Sequence, residues 1–481
     1  MRRSFALPLP VLSLVALLGA CTLGPDYSGP PTLTGAAAPP AGFVRAGADT
    51  TPAAPAATSA SSWWSVLGDP LLDSLEQRAL VGNPGIAVAE ARLRQARAQL
   101  RLDDANRLPA IGAQGTIIEA RLPGIGSSAS NSSLHFFNVG LDASWEPDLF
   151  GGQRRTAEAS RAGVGAAEAS VADAQVRLTA EIAQTYVALR DRQQRLALTR
   201  EAAGLQRRMH ELTRQRVAAG TASQLELERV GTQLEASEAQ ALPIEAEIDA
   251  ALNALATLTG AAPGALDASL ASPAAVPLPP ARLAVGDPAS LLQRRPDVRA
   301  AERRLAAQSA RIGVAEAARF PRISFMGILG LGGTSPADLV DLGSLSALAI
   351  PRLTWSFLDF GRGAARVAQA RAARDEAEAG YRQAVLAALQ DAEDSLSRFA
   401  HRRDSVASAA RQLAAAERAA ALTEQRFAQG TVSRIDELEA ERQQVVARSN
   451  LAAASAALTA DFIAVHKALG LGWAPGGAAA S

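Results

Sequence analysis

Residues 216–228 read RVAAGTASQLELE, and residues 426–438 read RFAQGTVSRIDEL. Each breaks a proline-free run of helix-forming sequence, at Gly220-Thr221 and at Gly430-Thr431. A glycine just past a helix end admits the left-handed backbone that ends a helix, and the Thr or Ser beyond it caps the next one. The two stretches therefore read as fold-back points. A chain that turns back twice on the same motif is built from two long helical hairpins.

Working outward, the motif is part of an internal repeat. Trp145 with Phe150-Gly151 recurs as Trp355 with Phe360-Gly361, Arg216 as Arg426, Ser223 as Ser433 and Gly260 as Gly470, always 210 residues on. Upstream, NPGIAVAEARL from Asn83 matches RPDVRAAERRL from Arg295, and Leu108-Pro109 matches Phe320-Pro321, now 212 residues on. The two copies differ in length between these prolines and the tryptophans, which is where loops belong. Pro84 and Pro296 suit a first helical turn, so helices run from them to about Asn106 and Arg319. The segments from about 152 to 218 and 362 to 428 lack proline, and apolar positions such as Val164, Ala167, Val171, Ala174 and Leu178 suggest a coiled-coil seam. At 1.5 Å per residue each such helix is roughly 100 Å long.

Between the helices the period changes from 3.6 to two. Val139, Leu141, Ala143 and Trp145 alternate with polar or small residues, as do Leu353, Trp355 and Phe357. Partner strands fall at Ile111 to about Glu119 and Ile323 to about Leu331, across loops at 122 to 133 and 330 to 345. Nine to eleven residues suffice to cross a bilayer as a tilted strand, with Trp145 and Trp355 near the ends as interface aromatics. A small soluble sheet has the same pattern. Four strands alone cannot close a membrane barrel, and open edges in lipid leave N–H and C=O groups unsatisfied. The strands are thus either soluble or pooled with copies of the same chain.

Composition narrows the class. Apolar residues make up 48% but aromatics only 4%, because alanine supplies most of the count, a bias towards extended helix packing. Lys+Arg and Asp+Glu balance at 48 each, so no net field attracts nucleic acid. The start, MRRSFALPLPVLSLVALLGAC, has the layout of a signal peptide, too short and proline-broken for a transmembrane helix. Leu18-Gly19-Ala20-Cys21 resembles a lipobox, which makes Cys21 the lipidated residue. Because Cys21 is the only cysteine, an internal disulfide and a cysteine zinc site are excluded. Thr22 after it points, by resemblance to sorting of enteric lipoproteins, to the outer membrane. His135, His210, His401 and His466 have no ligand spacing, and no nucleophile motif or phosphate loop occurs, so neither an enzyme, a metal nor a cofactor is expected.

The motifs CTLGPDY, SSWWSVLGDPLLDSL, NPGI, RRPDV, SWEPDLFG, TWSFLDFG and the two Gly-Thr turns, in this order, resemble the outer membrane factors of bacterial tripartite efflux systems. Within that family they are similar to the lipoprotein branch, with the NodT/OprM-type proteins and TolC as relatives. The resemblance implies a mainly α chain with a β-barrel part. As a homotrimer, each chain gives four strands to a 12-stranded barrel, and the helices form a periplasmic tunnel. It implies an outer membrane location, a periplasmic adaptor and an inner-membrane pump of the RND type as partners, and passive export of small molecules. The expected organisation is a signal peptide at 1–20, a lipid-anchored flexible linker at 21–62, repeats at 63–260 and 293–470, a belt connector at 261–292 and a disordered tail at 471–481.

By the same resemblance the turns face the adaptor, which makes Arg216, Gly220, Thr221, Ser223, Arg426, Gly430, Thr431 and Ser433 contact candidates. Turn chemistry accounts for Gly and Thr/Ser without a partner, but not for the matched arginines. Asp436 and Glu439 lie three apart on one helical face. Relatives carry aspartates at such spacings as rings at the closed aperture, where three chains' carboxylates would attract cations. A solvated acidic face reads the same way. The first copy has Glu226 and Arg229 at these places, so the acid pair belongs to the second alone. A lipid-anchored periplasmic adaptor or scaffold with helical hairpins is the alternative. Adaptors use one central hairpin; two hairpins with membrane-length strands favour the channel.

Overall fold

The computed structural model describes residues 22–32, 40–47, 50–51, 61–122 and 132–473. After a short 3-10 turn at Trp63–Leu67 come helices α1 (Pro70–Gly82) and α2 (Pro84–Ala105), then strands β1 (Ala110–Leu122) and β2 (Ser132–Trp145). Helix α3 (Gly152–Ala218) follows, with α4 (Gln224–Ala239) and α5 (Ala241–Leu258) returning from the first turn. The second copy repeats the order: α6 (Pro288–Arg294), α7 (Pro296–Ala317), β3 (Arg322–Gly333), β4 (Leu345–Thr354), α8 (Arg362–Ala428) and α9 (Arg434–Ala468).

The repeat is faithful at the level of single residues. Helices α3 and α8 each have 67 residues, and α2 and α7 each have 22. Among the helices, the clear break in symmetry lies between α4 and α5. Pro243 there removes a helical N–H and crowds the carbonyl four residues back, at Ala239, where α4 ends. Ala453 occupies the matching place in the second copy, and α9 runs through it unbroken for 35 residues.

The chain forms two compact units, and neither is a repeat: one takes residues 22–31, 92–168 and 300–381, the other 32–91, 169–299 and 382–473. The first holds the sheet, ordered β1-β2-β3-β4 and antiparallel throughout. Trp145 pairs with Phe325, and Arg322 with Thr354. The strand expected to run to Phe357 therefore stops at Thr354, because β3 has no residue left to pair beyond Arg322 and Pro321 lacks an N–H. Pro351 sits in β4, an edge strand, where a missing donor costs the ladder least.

The second unit carries the larger core. Trp63 and Trp64 are buried, and the Trp63 ring stacks on His466 at 5.0 Å and meets Phe462 edge-on at 6.3 Å. Tyr186, also buried, donates its hydroxyl to Asp69 Oδ2 at 2.6 Å, so the N-cap of α1 is tied to α3. The seam of α3 is not the expected one. Val164, Ala167, Val171 and Ala174 are half-buried, whereas Ala166, Ala169, Ala172 and Val176 are buried, as is Leu178. Alanine on both faces leaves the helical phase unspecified, and packing chooses it.

Both copies also use the residue before their helix-starting proline as a tie. Asn83 Nδ2 donates to the Leu258 carbonyl at 2.8 Å, and Arg295 Nη1 to the Ala468 carbonyl at 3.0 Å, closing the last helix of each copy onto the start of its second. Arg295 is buried and its guanidinium also bonds Asp297, which answers the cost of burying the charge.

Candidate functional site

The two turns have the same backbone. Gly220 and Gly430 take φ of 71° and 70°, the left-handed region that L side chains avoid. The Thr221 N–H reaches the Arg216 carbonyl at 2.8 Å and that of Thr431 the Arg426 carbonyl at 2.9 Å, and each threonine hydroxyl donates to the same oxygen. Ser223 and Ser433 cap α4 and α9 by accepting from Glu226 N and Asp436 N, both at 3.2 Å. The arginines differ. Arg216 donates to Glu226 Oε1 and to the Thr221 carbonyl, both at 3.3 Å, and so braces its own turn. Arg426 forms no side-chain hydrogen bond or ion pair among the described residues, leaving its guanidinium exposed at the tip. Arg434 instead lies over the Phe427 ring at 5.4 Å. Beneath the tips, Leu205 and Met209 of α3 pack on Leu438 and Val445 of α9.

Asp436 and Glu439 are on the first turns of α9, but they do not form a bare acid pair. Asp436 Oδ2 accepts from the Ser433 N–H at 2.9 Å and the Ser433 hydroxyl at 2.7 Å, completing a capping box. These bonds, helped by nearby Arg426, hold its carboxyl below the usual aspartate value. Glu439 is gripped by Arg442 at 2.6 and 2.9 Å and by Gln443 at 2.8 Å, which likewise lowers its carboxyl. Glu226 holds Asp436's place in the first copy, but its carboxylate goes to Arg216 instead of closing a capping box.

In the sheet unit, Trp145 and Trp355 are 41% and 53% exposed, and each indole N–H donates at 3.1 Å to the carbonyl just before its hairpin, Arg107 or Arg319. An amphipathic ring held this way, with one polar tie and an open face, suits the bilayer interface. Apolar side chains stand exposed along the strands: Ile111 73%, Ile117 75%, Leu348 53% and Leu353 67%. Among the described residues no helix is long and apolar enough to cross a membrane.

Cys21, the signal peptide and the tail from 474 lie outside the described residues. The segment following Cys21, expected to be a flexible linker, is held at residues 23–27. The Leu23 N–H bonds the Phe150 carbonyl at 3.3 Å, and buried Arg155 donates to the Leu23 and Gly24 carbonyls and to Asp26 Oδ1 at 3.0, 3.1 and 2.7 Å. Tyr27 gives its hydroxyl to Glu302 at 2.6 Å. A side chain on Gly24 would strike the Gly313 backbone at 2.4 Å, so the segment lies flat on α7. The motif CTLGPDY gives little sign of these contacts beyond an Asp and a Tyr in an otherwise apolar stretch. Leu471 is buried and Trp473 bonds the Gly470 carbonyl, so the expected disordered tail is anchored at its first residues.

Long helical hairpins joined to a sheet of membrane-length strands with exposed apolar side chains define a membrane channel with a helical tunnel, to whose barrel each chain gives four strands. The family described as outer membrane efflux protein matches residues 75–261 and 288–471, the two copies of the repeat, and the chain belongs to that family. It is 31% identical to outer membrane protein OprJ of Pseudomonas aeruginosa over 478 residues, covering 98% of both chains. It is 29% identical to nodulation protein T of Rhizobium leguminosarum bv. trifolii over 97% of both. The solved outer-membrane channel OprN superposes with a TM-score of 0.86 at 34% identity, covering 95% of this chain and all of the other. The protein is an outer membrane channel, the exit duct of a tripartite efflux system.

Proposed function

We propose that three copies of this chain assemble into a 12-stranded barrel continuous with a helical tunnel, anchored through lipid on Cys21. The observation that carries this is the sheet: β1 and β4 are unpaired edges in one chain, and an outer membrane protein cannot leave such edges in hydrocarbon. Pairing β4 of one copy with β1 of the next removes every edge. Six hairpin tips then surround one opening. The free Arg426, with Gly220, Thr221, Ser223, Gly430, Thr431 and Ser433 presenting the turns, forms the surface that meets a periplasmic adaptor, and Arg216 keeps its turn in shape. Asp436, ionised through its capping bonds, supplies the negative charge at the aperture, with Glu439 neutralised in part by Arg442. An inner-membrane pump of the RND type drives small molecules into the duct, which moves them passively.

Purified protein in detergent should give the mass of a trimer and step conductances in a planar bilayer. A monomer without channel activity would sink the proposal. Asp436→Ala should lower the preference for cations over anions; unchanged selectivity would remove the acidic aperture while leaving the trimer standing.

A further inference from the structure

Strand register divides the side chains of the sheet between two faces, because cross-strand partners share a face and successive residues alternate. Trp145 pairs with Phe325 and Phe325 with Pro351, and Leu141 pairs with Ala113 and with Leu329, so these stand on one face together with Ile111, Ile117 and Leu353. Asp142, Arg322 and Arg352 all fall on the other face, with Gln114, Thr116 and Asn138. A membrane barrel turns its apolar, aromatic face to lipid and its polar face to the lumen.

The first hairpin keeps that inner face polar, and the second does not. Met326 and Ile328 on β3 pair with Ile350 and Leu348 on β4, which makes one block of four apolar side chains. The repeat puts Gln114, Thr116, Gly140 and Asn138 at the same four places of the first hairpin, paired in the same way. A hairpin of this register therefore forms without an apolar inner face, and in a water-filled lumen such a face is unfavourably hydrated.

Closing the barrel leaves the block open. A neighbouring copy adds its strands at the edges of a sheet and not over its face, and a barrel of twelve strands is wider than the eight-stranded ones that side chains fill. Read through the repeat, the β2–β3 register sets Ile350 beside Ile118 of the next copy, whose partner on the same face is Phe136, so the seam lengthens the block. Asp142 pairs with Ile328, and Arg352 lies two residues from Ile350 on the same face. A charged group of either sign thus finds an opposite charge next to apolar surface.

We propose that this block is a contact site for the apolar groups of exported small molecules, so that the duct holds amphipathic molecules in preference to wholly polar ones of equal size and charge. The inference rests on the three-copy barrel proposed above. Trimer in a planar bilayer is exposed to tetrapropylammonium or to tetrakis(2-hydroxyethyl)ammonium, cations of matching size whose arms end in methyl or in hydroxyl. Tetrapropylammonium should depress the ion current at about tenfold lower concentration, the effect of taking roughly two methyl groups out of water. With Met326→Gln and Leu348→Asn together, which borrow the residues of the first hairpin, that ratio should fall to about twofold while conductance persists. Thr116→Ile with Asn138→Leu copies the block into the first hairpin and should raise the ratio above that of the wild type. Equal block by both cations in the wild type, or an unchanged ratio in either conducting variant, would overturn the proposal and leave the channel standing. A wild type without trimer or conductance would remove the barrel reading and this inference with it.

Discussion

His466 shows how one buried side chain couples the second unit to pH. Packed against Trp63 and Phe462, it donates Nδ1–H to the Phe462 carbonyl at 2.9 Å, and burial pushes its pKa down to about 4 from 6.5. Between these values the unfolded chain binds a proton that the folded chain refuses, so stability rises with pH across that window. This contribution is whole above 6.5 and is lost as pH falls towards 4. At pH 5 the cost is about 2 kcal/mol. The wild type should therefore melt at a distinctly lower temperature at pH 5 than at pH 7.5, and His466→Phe should lose part of that difference. A variant with the full pH dependence would show that other groups govern it. The sequence showed His466 as one of four isolated histidines without ligand spacing. Its ring contacts come from Trp63, some four hundred residues away, and no local pattern announces them.

Elements were the most legible part. The proline-free stretches at about 152–218 and 362–428 predict helices, and α3 and α8 have those bounds. Ser433 and Gly430 act as cap and helix stop because their local chemistry leaves few alternatives. Seam phase and strand ends were less legible. The first depends on which face of an alanine-rich helix finds a neighbour, and the second on how far a partner strand reaches. The tip is open to a direct test. Gly430→Ala forces a Cβ into the left-handed region at a cost of roughly 1 kcal/mol, with nothing near enough to clash. Amide exchange should quicken from Arg426 to Glu439 while the rest of the chain keeps its protection. Uniform loss of protection would mean that the turn supports the whole hairpin.

For the whole molecule, the sharpest question is which solvent covers the sheet. Ile117 is 75% exposed near the middle of β1. On a water-facing sheet Ile117→Arg would be close to neutral. Facing lipid at mid-bilayer it costs roughly 2–4 kcal/mol. Refolding into vesicles should therefore fail or weaken for Ile117→Arg while the same change at an exposed helical position, such as Leu422, leaves it intact. Equal refolding of both variants would argue against a lipid-facing β1.

Periodicity, punctuation and the doubled motif were enough to read two helical hairpins and two strand hairpins, because helix and strand geometry are local and each repeats every few residues. The acid pair shows where such reading stops. The spacing of Asp436 and Glu439 suggests paired acids, yet one caps a helix through Ser433 and the other grips Arg442, each partner three residues away and one of several that the sequence offers. The clamp of Arg155 on Leu23, Gly24 and Asp26 was not legible either, nor was the cluster of Arg319, Arg322, Arg362 and Arg366 at the foot of the second hairpin. The clamp and the arginine cluster join residues dozens to more than a hundred positions apart, and such a partner depends on which chain segments the fold brings within reach.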